Sequence, residues 1–172
     1  MPAVEAGTGF VIVQAAIDTA AKDLSIGLLV GGSIVVGKTP RGAIVPAAAG
    51  TQSFDIAPIE NAADGVPRAL KIPRTTACGV NDEWFYVEAR QAKGYDAFLS
   101  GNGNVLSGVL VRKVVEGDPD SSFLLDMTPS TSSWSDAALA GGNSFTDPAS
   151  GLKIQTVSAG ASGARVSVTF PS

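Results

Sequence analysis

Glu88, Arg90 and Asp96 are the most pointed polar residues of the chain. In a β-strand Glu88 and Arg90 fall on one face two residues apart, close enough for a charge-assisted pair, with Asp96 in the turn-forming sequence that follows. Such a set either contacts a ligand or brackets a strand to its following turn. Glu116, Asp118 and Asp120, interleaved with Gly117 and Pro119, offer the oxygens that calcium takes. Calcium asks for about six to eight of them, and the Gly and distal Glu of an EF-hand loop are missing, so an acidic turn is the simpler expectation. Asp126 and Asp136 could approach one another, but two carboxylates without a raised-pKa setting do not make a glycosidase. Trp84, Tyr86, Tyr95 and Trp134 could build an aromatic platform for sugar or protein. Trp84 and Tyr86 alternate as core residues do, which leaves Trp134, in a Ser/Thr-rich loop, as the one expected at the surface. Arg68, Lys71 and Arg74 form a small basic group that a solvated strand face explains.

Composition closes most other routes to chemistry. The chain has no histidine, so it has no Ser-His-Asp triad, no Cys-His pair, no His-ligated zinc and no His general base. Catalysis would have to run on Asp and Glu alone, and the expectation is that the chain is not an enzyme. Cys78 is the single cysteine, which excludes an internal disulfide and a zinc cluster and reads as a small buried apolar residue. A formal charge of −4 argues against a nucleic-acid footprint. No signal peptide is expected in this chain, because Glu5 stands where Lys or Arg would precede an apolar region and Phe10 to Ile17 is a poor one. The most apolar run, Leu24 to Val36, is shorter than the ~20 residues of a membrane span and contains several glycines, so no membrane insertion is expected.

The elements that must position these residues are short. With 172 residues, 45% of them hydrophobic and 16% charged, the chain can bury a core, and its 20 Gly and 10 Pro favour many brief strands over a few long helices. Phe10 to Ile17, Leu24 to Val30 and Ser33 to Val36 are β-prone apolar runs, the last two joined by Gly31-Gly32 as a hairpin. They read as apolar on both faces, hence as covered strands or as a surface that waits for a partner. Thr39-Pro40-Arg41-Gly42 marks a boundary between an N-terminal segment, 1–39, and a domain, 40–172. Beyond it Phe54 and Ile56 alternate with Ser53 and Asp55, and Leu70 and Ile72 with Lys71 and Pro73. Trp84, Tyr86 and Glu88 share one face against Phe85, Val87 and Ala89 on the other, and Val166, Val168 and Phe170 alternate with polar residues. Gly101-Asn102-Gly103-Asn104 predicts a hairpin within Tyr95 to Val111, and only Ser135 to Ala140 could hold a helical turn. The fold class that follows is all-β, a sandwich of immunoglobulin-like or jelly-roll-like type with an added N-terminal β segment.

Phe85-Tyr-Val-Glu-Ala-Arg-Gln-Ala-Lys-Gly-Tyr-Asp96 resembles the post-catalytic β-domain of secreted metallopeptidases of the immune-inhibitor-A-like and gametolysin-like kind. There an aromatic strand runs into Glu-x-Arg-Gln, then Gly-aromatic-Asp, then a Gly-Val-Leu strand, here Gly108 to Arg112. Leu124 to Pro129, Asp136 to Leu139, Ser144 to Pro148 and the closing run to Phe170 continue the pattern in the same order. The resemblance covers residue 42 to the end and leaves the first forty residues unmatched. The His-Glu-x-x-His zinc motif of those enzymes is absent, so the resemblance implies an accessory module without protease chemistry.

Two functions follow as expectations. One is a non-catalytic binding or accessory module, with Trp134, Glu88, Arg90, Tyr95 and Asp96 as its candidate contacts and no cofactor beyond calcium. The other is a self-assembling structural protein of a virion or filament, in which Val11, Val13, Leu28, Val30 and Val35 make intersubunit contacts. Either acts through a protein partner or self-association, outside the cell or within an assembled particle.

Overall fold

The computed structural model describes residues 42–60, 65–74, 83–118 and 120–172, together with the backbone of three upstream strands. The expectations for Cys78, for Val11 and for the break at Thr39-Pro40-Arg41 lie outside the described residues.

The upstream strands β1 (Val13–Asp18), β2 (Asp23–Val30) and β3 (Ser33–Lys38) form an antiparallel sheet of their own. Val30 pairs with Ser33, the register that a two-residue connection at Gly31-Gly32 gives. Val13, Leu28 and Val35 fall in one cross-strand row, and Val30 lies on the same face two residues along. The opposite face takes Gln14, Asp18, Asp23, Ser25 and Lys38 together with Leu29, Ile34 and Val36, so apolar residues stand on both faces.

Ten further strands follow: β4 (Gly42–Ile44), β5 (Gly50–Ile56), β6 (Ala69–Arg74), β7 (Glu83–Glu88), β8 (Gly108–Val115), β9 (Phe123–Leu124), β10 (Leu139–Ala140), β11 (Ser144–Thr146), β12 (Lys153–Gly160) and β13 (Gly163–Phe170). One sheet runs β10-β8-β7-β6-β4, with β9 also on β8, and the other runs β11-β12-β13-β5. Every pairing is antiparallel except β4 with β6. The all-β expectation holds. The two sheets share one apolar core, to which the first contributes Leu70, Ile72, Phe85, Val87, Val109 and Val111 and the second Ile154, Val166, Val168 and Phe170. Phe85 of β7 meets Phe145 of β11 edge to face at 5.9 Å, an aromatic contact that joins the sheets.

Two local expectations are overturned. Gly101 to Asn104 does not turn a hairpin. A 3-10 helix, Gly94–Gly101, leads directly into a single α-turn, α1 (Gly103–Leu106), and only then does β8 begin. Asn102 is the reason: its Oδ1 accepts from Val105 N at 3.1 Å, the capping bond for which short polar residues are selected. Ser135 to Ala140 in turn holds no helix. Thr128 Oγ1 donates to Asp136 O and Asn104 Oδ1 accepts from Ala138 N, so the backbone groups a helix would use are already satisfied across the loop.

The basic group is not a solvated face either. Lys71 is buried, with Nζ 3.2 Å from Glu116 Oε2 and 3.9 Å from the centre of the Trp84 ring. Arg74 pairs with Glu83 and forks onto Asp147 at 2.8 and 3.1 Å, tying β6 of the first sheet to the turn between β11 and β12 of the second. Burial alone would raise the Asp147 carboxyl, but hydrogen bonds from Arg74 and Ser150 outweigh it and hold the group below its ordinary 3.8. A folded-state pKa lowered in this way gives stability that is present above the ordinary value and lost as pH falls below it. Asp147→Asn is expected to cost about 1.5–3 kcal/mol at pH 7. In urea melts at pH 7 and pH 3, the gap between wild type and variant should shrink at the lower pH; an equal gap at both would show that the ion pair is not what the aspartate contributes.

Candidate functional site

The end of β7 delivers the predicted polar set to one place. Glu88 is the last residue of the strand and shares its outward face with Trp84 and Tyr86, while Phe85 and Val87 point into the shared core. A parallel bridge between Pro58 and Ala89 brings in Glu60, whose Oε2 accepts from Gln91 N at 2.9 Å. The 3-10 helix supplies Asp96. Arg90 sits among them with Nη1 3.0 Å from Asp96 Oδ2 and 3.5 Å from Glu60 Oε1, and with Nε 3.6 Å from Glu88 Oε1. Arg112 of β8 approaches Glu88 from the other side at 3.5 Å. Arg90, Glu88 and Asp96 are all buried, so the cluster is a bracket between strand and helix and presents no surface to a ligand.

Its electrostatics are tight. Burial works against the charge on Arg90, but Glu88, Asp96 and Glu60 more than offset it and the guanidinium stays protonated. Burial, and then a hydrogen bond with Asp96, push Glu60 up from 4.5 to about 7. One cross-strand row away, Lys71, Tyr86 and Arg112 lie side by side on the outward face of the sheet. Burial there, with the Glu116 charge nearby, raises the Tyr86 phenol, which stays neutral.

What the cluster positions is a pair of aromatic rings. In a 3-10 helix residues three apart eclipse one another, so Asp96 and Leu99 share one side and Tyr95 and Phe98 share another. The inward side is fixed by the Asp96–Arg90 pair and by Leu99, which packs with Val105, Leu110, Leu124 and Ala138. The outward side leaves Tyr95 71% and Phe98 64% exposed. Trp134, 61% exposed as expected, stands on a loop fastened to the same segment: Asn102 Nδ2 donates to Ser135 O at 2.8 Å, and Asn104 bonds both backbone groups of Ala138. Phe123, 59% exposed, adjoins Leu124 of the same apolar cluster.

The remaining candidates are structural. Glu116 takes Lys71, and Asp118 Oδ1 accepts from Asp120 N in a local turn, so the three acidic residues do not converge. Asp126 caps Thr128, and Asp136 accepts from Thr131, each within the loop that carries Trp134. Among the described residues no set of three or more Cys, Asp or Glu is placed to hold a metal ion, and no helix is long and apolar enough to cross a membrane. Glu60, Phe98 and Phe123 were not singled out by the sequence. Phe98 was signalled only by its spacing from Tyr95, which carries meaning once the segment is a 3-10 helix.

The segment Phe85 to Asp96 supplies most of this site. No family model matches the chain, and neither a curated protein nor a solved structure does.

Proposed function

We propose that the chain is a non-catalytic β-module, of the accessory kind that follows the catalytic domain in secreted metallopeptidases, and that it works by holding a protein partner. The observation that carries this reading is the pair Tyr95 and Phe98, held outward on a short helix whose opposite side is locked by a buried ion pair, with Trp134 on a loop fastened to it. Exposed large aromatics on a rigid support are the residues from which interface anchors are made, because they bury much area for little lost freedom. The charged residues nearby are committed to one another, which suits a framework better than a reaction centre. Secretion or incorporation into a larger particle fits such a role.

Immobilised full chain, screened at saturating concentration against protein and glycan libraries, should retain a protein. Tyr95→Ser with Phe98→Ser should weaken that binding at least about tenfold, the ordinary loss for an aromatic anchor. A screen that retains nothing, or an affinity untouched by the double change, contradicts the reading.

One observation favours a second reading, a structural subunit. The pairing of β1 to β3 brings the N-terminal β-prone runs into one antiparallel sheet, an element of the kind that pairs with a neighbouring subunit.

A further inference from the structure

We propose that Glu60 keeps a proton beside the Arg90–Asp96 pair, and that losing it unlatches the 3-10 helix Gly94–Gly101, so that pH controls the aromatic surface the helix presents. The functional meaning of this latch rests on the binding role assigned to Tyr95 and Phe98; the latch itself does not.

Among the described residues three carboxylates, the buried Glu88 and Asp96 and the half-buried Glu60, face two guanidinium groups, Arg90 just after β7 and Arg112 from β8. Glu88 lies between both cations, whereas Glu60 and Asp96 converge on the same nitrogen, Arg90 Nη1, at 3.5 and 3.0 Å. Gln91 N adds one more donor to Glu60, and the next charged pair, Lys71 with Glu116, is satisfied within itself. A surplus negative charge is costly where water is largely excluded, and with two carboxyl groups on one donor it is relieved when Glu60 keeps its proton. The protonated Glu60 then donates to Asp96, and Asp96 holds the helix.

Removing that proton leaves two carboxylates repelling across one nitrogen. Asp96 belongs to a short helix, whereas Glu60 is fixed by the Pro58–Ala89 bridge and by Gln91, so the helix is the part that yields. A carboxyl raised in the folded state gives stability that is complete below its ordinary value and lost as pH rises through the raised one. The change therefore falls around neutral pH, in the opposite direction to that of Asp147.

Hydrogen exchange of the full chain, read by NMR as protection factors for residues 94–101 against β7 as internal reference, tests this. Protection of the helix should fall about tenfold between pH 6 and pH 8, the ratio that a carboxyl at about 7 in place of 4.5 dictates. Glu60→Gln, which keeps the shape and supplies a permanent N–H toward Asp96, should hold the pH 6 protection at both. A flat wild-type profile, or a pH dependence that survives in Glu60→Gln, overturns the proposal. Should the variant fold poorly, the carboxyl carbon shift of Glu60 in the wild type decides: a midpoint about 7 supports the retained proton, and one near 4.5 overturns it. These readings need no partner. The latch can thus fail while Tyr95 and Phe98 still bind, and the binding reading can fail while the latch titrates as stated.

Discussion

Arg90→Met is expected to destabilise the protein by about 3–5 kcal/mol, the cost of removing one partner from a buried ion cluster. Methionine fills much of the same volume, so the loss is not mainly one of packing. It arises because Glu88 and Asp96 stay buried, and Glu60 half-buried, after their common donor is gone, with Arg112 left to serve Glu88 alone. Arg90→Lys should fall between, since an ammonium is a compact charge that cannot reproduce contacts made through Nε on one side and Nη1 on the other. Adding Asp96→Asn and Glu60→Gln to Arg90→Met should recover part of the loss, because the stranded charges are then removed as well. Urea unfolding followed by circular dichroism measures all three. A cost below about 1 kcal/mol for Arg90→Met would mean that water reaches the cluster and screens it, and the bracket would lose its role.

Gly163→Ala is the second large effect, and its cause is steric. Gly163 opens β13 with φ +128°, a backbone conformation that L-residues rarely adopt, and a Cβ placed there would lie 2.1 Å from the backbone oxygen of Ile56. No side chain can rotate aside to relieve that contact. Either the β12–β13 hairpin or the β13–β5 ladder must shift, and Ile56 is a buried member of the shared core. We expect a loss of about 3 kcal/mol or more, the sum of a strained backbone and a displaced core strand. Gly117 is the control: its φ of +84° is also positive, but nothing lies within 4 Å of a Cβ built there, so Gly117→Ala should cost only about 1 kcal/mol. Thermal melts of the two variants compare them directly. Similar costs would show that backbone strain, and not the approach of β5, governs both positions.

The parts of this architecture that could be read from the sequence are those governed by period two. Trp84, Tyr86 and Glu88 against Phe85 and Val87, or Phe54 and Ile56 against Ser53 and Asp55, announce both the strand and its faces, because one side of each sheet meets the shared core. The bracket of Glu88, Arg90 and Asp96 was legible for a related reason, Arg90 following two residues after Glu88 at the end of β7. Glu60 was not, since a bridge of a single residue pair brings it in from far along the chain. The helix between Gly94 and Leu106 was hidden by Gly-Asn-Gly-Asn, which suits a hairpin equally well until Asn102 spends its carbonyl on Val105 N. Arg68, Lys71 and Arg74 read as solvated because charge alone says nothing of a tryptophan ring or an aspartate supplied by another strand or sheet. In the N-terminal segment the runs and the β2–β3 connection were visible, but the pairing of β1 with β2 was not.

The mass of the full chain in solution, by size-exclusion chromatography with light scattering over a wide concentration range, tests the central claim most directly. A module that holds a different protein through Tyr95, Phe98 and Trp134 should elute as one chain, 17.3 kDa, at every concentration. A multiple of that mass which Leu28→Asp or Val35→Asp returns to a single chain would contradict the account and make β1 to β3 the interface of a structural subunit.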